Sequence, residues 1–244
     1  MLPHFATPEG TVRFAKRFSV PEAAGFYREV QGLSVSSIGI GTYRGEMDDA
    51  TDRGYVDAVK EALAGGVNFI DTSLNYRNQR SERSVGTALR QVVETGSVQR
   101  DEIVVCTKAG YLVPDAVPVE RLCANDVAGG MHSMAPGFLA DQLERSRQNL
   151  GLESIDVFYL HNPETQLHYL NETEFYGRIR QAFVWLETAV GEGRIRYYGA
   201  ATWEGFRHRQ PSPEALSLER LAGIAQEIAG SLTPVAGIAR AGSG

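Results

Sequence analysis

A chain of 244 residues with 43% hydrophobic and 22% charged residues is long enough to bury a sizeable core and lies far from the balance of a disordered polymer. Its net charge of −6, with no clustered Lys/Arg stripe, argues against a nucleic-acid partner. Two cysteines, Cys106 and Cys123, make neither a disulfide framework nor a zinc site, and no apolar run reaches the roughly 20 residues that span a bilayer, so no membrane is expected and the cytoplasm is the expected address.

Residues 1–34 read as an N-terminal cover, in which Pro3, Pro8 and Pro21 break any long element and Thr11 to Val20 suggests a short hairpin or strand. The run from Val35 to Tyr43 reads as the first strand, and Asp48-Asp49 as the cap of a helix that carries Val56, Val59, Ala62 and Leu63 on one face and stops at Gly65-Gly66. A second strand, Val67 to Ile70, ends in Asp71. Tyr76 follows in a polar turn, and a helix opens near Ser81 and runs to about Thr95. The third strand, Glu102 to Lys108, is apolar almost throughout, as in a strand buried on both faces of a parallel sheet.

An insertion over 109–136 follows, long enough to suggest a lid, before a helix from about Phe138 to Leu150. The fourth strand, Ile155 to His161, leads through the irregular run NPETQLHYLNE to a helix from about Glu174 to Gly191. The fifth, Ile195 to Ala201, precedes a helix with Leu218, Leu221, Ile224 and Ile228 on its apolar side. Strand then helix, repeated at roughly 30–45 residues, predicts an α/β fold of the (β/α)8 TIM-barrel type with five to six βα units over 35–230 and the barrel incomplete. The Gly, Ala, Ser and Arg-rich residues 231–244 read as a flexible or aberrant tail, from a lost reading frame near Ser231 or an ordinary loose terminus.

Polar residues tip four of the apolar strands: Asp71, Lys108, His161 and the Thr202-Trp203 pair. In a parallel barrel such tips face the site. Each has a plainer reading on its own: Asp71 as a turn cap, Tyr76 as a surface aromatic, Lys108 as a solvated lysine, His161 as a core histidine. The remaining histidines, His4, His132, His168 and His208, show no metal-ligand spacing, so no metal is expected.

The motifs GVNFIDTSLNY with SERSVG, VVCTKAG, SRQNLGLES with IDVFYLHNPE, and IRYYGAATW resemble the aldo-keto reductase superfamily over roughly residues 30–230. Matched motif by motif, the family's catalytic four fall on Asp71, Tyr76, Lys108 and His161. The chemistry agrees with the match. Reducing a carbonyl needs a proton donor on oxygen, a free phenol with a pKa of about 10 is too weak an acid near neutrality, and a lysine beside it lowers that pKa. Asp71 would hold the ammonium in place, and His161 would align the substrate oxygen.

The resemblance implies NADPH as cofactor, with NADH as the alternative, and a small-molecule carbonyl substrate. It places Gly41, Thr42 and Asp71 near the nicotinamide end, with Thr202 standing in Ala201-Thr202 where most members carry a Ser-Asn pair. Gly39-x-Gly41 with Gly45 is not a dinucleotide fingerprint. The family's seventh and eighth units, which supply the stacking aromatic and the phosphate-binding basic residues, have no counterpart in the sequence. An unclosed barrel predicts self-association through its strand edge or a need for another chain, and the alternative function is a catalytically silent truncated reductase fragment or a non-catalytic subunit.

Overall fold

The computed structural model describes residues 1–18, 25–118, 120, 122–208 and 214–231. The tail reading over 231–244 falls, beyond Ser231, outside the described residues. Two compact units emerge, one of Met1–Thr107 with Glu144–Phe158, the other of Lys108–Leu143 with Tyr159–Gly244.

The first unit opens with helix α1 (Pro8–Arg17), where a hairpin or strand over Thr11 to Val20 was expected; Ser19 and Val20 lie outside the described residues. Pro8 acts here as a helix start rather than a breaker. It occupies the first turn, where a missing N–H costs nothing, and the Thr7 side chain accepts from the Gly10 N–H at 2.9 Å. Thr11, Phe14 and Ala15 then share one buried face. The hairpin lies further on, with β1 (Tyr27–Val30) antiparallel to β2 (Leu33–Ser36) and Gln31 and Gly32 both at positive φ, as a two-residue turn of this hand requires. The strand read over Val35 to Tyr43 is thus divided: Val35 and Ser36 finish the hairpin, and only Ile40–Gly41 (β3) joins the parallel sheet.

Helix α2 (Asp49–Ala64) starts as expected, with the Asp48 carboxylate accepting from the Thr51 N–H at 2.7 Å. Strand β4 (Phe69–Asp71) pairs in parallel with β3, Gly41 opposite Asp71, and with β5 (Val104–Ala109), Asp71 opposite Cys106. Helix α3 (Arg80–Glu94) buries Val85, Ala88, Leu89 and Val92. At the start of β8 (Ile155–His161), the buried Asp156 carboxylate accepts from Arg100, from the Val105 N–H at 2.8 Å and from the Ala6 N–H at 2.6 Å. That carboxylate ties the N-terminal segment to the strands.

In the second unit the insertion is ordered around a short antiparallel ladder, β6 (Val127–Ala128) with β7 (His132–Ser133), ahead of helix α4 (Pro136–Leu150). A 3-10 turn (Pro163–His168) follows the end of β8, and α5 (Glu172–Gly191) begins in a capping box of Asn171 and Glu174. Strand β9 (Ile195–Ala201) lies beside β8, and α6 (Leu218–Ser231) lays Leu221, Ile224 and Ile228 against α5. Leu218, read as part of that apolar face, is 66% exposed because it opens the helix. Among the described residues, strands β3, β4, β5, β8 and β9, each followed by a helix, are five βα units. Among the described residues no helix is long and apolar enough to cross a membrane.

Candidate active site

In the first unit, the carboxyl ends of β3 and β4 carry Gly41, Thr42, Asp71 and Thr72. Thr42 is fully buried, its hydroxyl 2.8 Å from the Thr72 hydroxyl and 3.3 Å from the Asp71 carbonyl, while Ser81 at the start of α3 donates to the Thr42 carbonyl at 2.7 Å. These bonds fix the strand end from which Asp71 projects, half-buried. Tyr76 stands in the turn beyond it, also half-buried, with its backbone N–H on the Ser73 carbonyl and its ring 5.0 Å from that of Tyr43. The next three residues, Arg77, Asn78 and Gln79, all have left-handed backbones, which turns the chain sharply into α3. Arg77 is buried there, donating to the Glu46 carbonyl and to Asp52 at 2.7 Å each. Tyr43 and Arg77 carry no sequence signal beyond residue type, since what sets their role is contact with residues about 30 positions away.

In the second unit, Lys108 stands one residue before the end of β5 and His161 closes β8, only 5% and 7% exposed. A lysine so buried is rare without a task. Burial lowers the His161 pKa to about 3, and the charge of Lys108 and the neighbouring His132 push the same way, so its ring is neutral at physiological pH. The Tyr111 ring stands edge-on to His161 at 5.3 Å, and its hydroxyl accepts from the Asn162 amide at 3.2 Å. Beyond β9, Thr202 accepts from the Phe206 N–H through its hydroxyl oxygen at 3.3 Å, which leaves the hydroxyl hydrogen to donate. The loop behind it is anchored by Glu164, whose Oε1 accepts from the N–H groups of Trp203, Glu204 and Gly205 at 2.9, 3.0 and 3.3 Å. The structure also brings the exposed His168 and His208 to one half-buried carboxylate, Glu214, with Nε2–O distances of 3.2 and 3.7 Å. Sequence spacing alone does not show that pairing.

A profile of the aldo/keto reductase family matches residues 37–210. The chain belongs to the aldo/keto reductase family. Among relatives, it is 26% identical over 183 residues to the NADH-specific methylglyoxal reductase of Escherichia coli, a match covering 69% of this chain and 49% of that protein. It is 30% identical over 176 residues to aldo-keto reductase family 1 member D1 of Rattus norvegicus, covering 71% and 42%. The fold matches the glycerol dehydrogenase AKR11B4 of Gluconobacter oxydans with a TM-score of 0.56 at 21% identity, over 84% of this chain and 53% of that one. An aldo-keto reductase of Bacillus halodurans, AKR11C1, matches with a TM-score of 0.54 at 23% identity, over 72% and 50%. The aldo/keto reductase chain is therefore an α/β chain of the (β/α)8-barrel type, and it spans about half the length of the curated relatives it matches.

A nicotinamide cofactor is what the family implies. Gly41 is exposed at the end of β3, and a Cβ built on it meets no atom within 4 Å, so the backbone there is open to a flat ring. The free hydroxyl hydrogen of Thr202 suits a carboxamide oxygen. The buried Thr42 hydroxyl is committed to Thr72 and Asp71. Gly41 and the Thr202 hydroxyl hydrogen are each open to a ligand group, and the Thr42 hydroxyl braces the strand end.

Proposed function

We propose that this aldo/keto reductase chain reduces a small aldehyde or ketone to the alcohol, with Tyr76 giving the proton to the carbonyl oxygen. The observation that carries the reading is the buried Lys108 with the neutral, buried His161 beside its charge. A cation kept out of water can shift a phenol's pKa far more than a solvated one can, because the low dielectric weakens screening. In this reading Lys108 lowers the Tyr76 pKa, and Asp71 keeps the Lys108 ammonium charged and directed. His161 donates its single ring proton to the substrate oxygen, which aligns the carbonyl for attack.

A reduced nicotinamide, when bound, supplies the hydride to the carbonyl carbon. Gly41 and Thr202 would hold that ring, with Asp71 at the same strand end as Gly41. NADPH is the proposed cofactor and NADH the alternative, the E. coli relative being named for NADH. Both free thiols, Cys106 and Cys123, suit a reducing compartment such as the cytoplasm.

The reading is tested by titrating NADPH against intrinsic fluorescence and assaying aldehyde reduction. Tyr76→Phe is expected to lower kcat about 100-fold or more while cofactor binding is kept, since general-acid catalysis contributes on that scale. Full activity in Tyr76→Phe would remove the proton donor from the proposal. A second reading is a catalytically silent chain or a non-catalytic subunit. It predicts no cofactor binding, and for a subunit a stable hetero-complex on size exclusion. Either way, β9 is proposed as an edge for self-association.

A further inference from the structure

The insertion between β5 and α4 holds a histidine that the chemistry above leaves unused. His132, in β7, is fully buried and both its ring nitrogens are engaged. Nε2 lies 2.8 Å from the His161 carbonyl oxygen, which can only accept, so Nε2 carries a proton. Nδ1 lies 3.0 Å from the amide nitrogen of Gln166. The other end of that amide, Oε1, accepts from Arg178 at 3.1 Å, and a guanidinium has donors only. The Gln166 amide is thereby turned with its NH2 toward His132, and Nδ1 is a bare acceptor. Arg178 is itself fixed by the carbonyls of Asn125, at 2.5 Å, and Asp126, at 3.3 Å. Donors therefore point one way along the whole line, from Arg178 through Gln166 and His132 to His161.

Two further contacts tie this line to the His161 ring as well as to its backbone. Tyr111 stands edge-on to both imidazoles, 5.1 Å from His132 and 5.3 Å from His161. Gly110 makes the close approach feasible, because a Cβ there would lie 2.5 Å from His132 Nε2 and 2.6 Å from the His161 oxygen.

We propose that His132, neutral and protonated on Nε2, is the residue that positions His161, and that Arg178 sets this form through the Gln166 amide. The inference rests on the reading of His161 as the group that faces the substrate carbonyl. His132 touches no substrate; it acts through the His161 carbonyl and the Tyr111 ring.

Nitrogen NMR of histidine-labelled protein tests the relay without reference to activity. The unmodified chain at neutral pH is expected to show His132 with a protonated Nε2 and a bare Nδ1. Gln166→Glu sets a carboxylate against Nδ1 and is expected to protonate both nitrogens at the same pH, while Arg178→Met frees the amide to turn and adds a share of the Nδ1-protonated form. An Nδ1-protonated ring in the unmodified chain, or a ring unchanged by both substitutions, overturns the proposal.

For aldehyde reduction, His132→Leu is expected to lower kcat on the order of 10- to 100-fold with the KM for NADPH unchanged, as for a displaced catalytic group. His132→Gln, which keeps an N–H for the His161 carbonyl, is expected to recover most of that loss. Equal loss in the two folded variants sinks the positioning role. Should His132→Leu not fold, the NMR readings on the Gln166 and Arg178 variants decide. If the unmodified chain reduces no aldehyde, the proposed activity fails, and the NMR readings still judge the relay.

Discussion

Arg77, Asn78 and Gln79 hold left-handed backbones with φ of 49°, 50° and 71°, immediately after the proposed proton donor. Each such residue costs on the order of 1–3 kcal/mol, so something must hold the run in place. Arg77 does this: its guanidinium donates to the Glu46 carbonyl and to Asp52, and stacks 5.3 Å over Tyr55. Arg77→Ala takes one of two cationic partners from Asp52, which is 29% exposed and keeps Arg80, and it releases the turn; it is expected to destabilise the chain by about 1.5–3 kcal/mol, the range for hydrogen bonds to a charged group, as read by chemical denaturation. Arg77→Lys keeps the charge but cannot reach both acceptors with one planar group, and an intermediate loss is expected.

His132 and His161 give the same scale a pH signature. Burial, with the Arg178 charge, lowers the His132 pKa from 6.5 to about 4, and burial with Lys108 lowers that of His161 to about 3. Both rings are neutral when folded, and the unfolded chain binds the extra protons. Stability is therefore full above pH 6.5 and falls as pH drops from 6.5, through about 4 for His132 and on toward 3 for His161. Denaturation midpoints measured between pH 7 and pH 4 check this: a flat profile counts against two buried neutral rings, and a shallower slope is expected in His132→Gln.

At the scale of elements, the neck of the insertion is where a small change should matter most. Gly110→Ala forces a methyl against His132 and the end of β8, and overpacking of that kind costs about 1–3 kcal/mol. The expected outcome is a lower thermal midpoint together with a weaker Tyr111–His161 contact, read from ring-proton shifts. The strands at this neck were legible in the sequence, since Ile155–His161 and Ile195–Ala201 are largely apolar, each broken by one charged residue, Asp156 or Arg196, and each leads to a polar tip, His161 or Thr202. Helix α1 was not, because Pro8 breaks a helix interior and starts a helix equally well, and only the Thr7 cap tells the two apart. The β1–β2 hairpin was hidden for a similar reason: Gln31 takes a positive φ that sequence rules reserve for Gly, Asn or Asp. Strand tips announced Asp71, Lys108 and His161, while His132, Gln166 and Arg178 act through partners far along the chain, a pairing no local pattern encodes.

At the scale of the whole molecule, the ends of the parallel sheet differ. Strand β3 contributes two residues, whereas β9 is seven residues long, with only Ile195 buried, and among the described residues it has a strand, β8, on one side only. A long open edge is a template for pairing with another chain. On light scattering the 244-residue chain is expected to exceed 26.7 kDa as concentration rises, and Tyr197→Lys, which sets a charge on that edge, to return it toward this mass. A monomer at every concentration would end the proposal.

The bare backbone of Gly110 has one more implication, which follows from the proposed reduction. If the proposed reduction holds, swapping the residue 109–136 segment for a donor loop is a way to seek another carbonyl substrate, yet the same graft would discard the imidazole that seats against the His161 carbonyl. A transplant that keeps Gly110 and His132 as its stem should preserve turnover on the new substrate; one that replaces the stem should gain binding and lose rate.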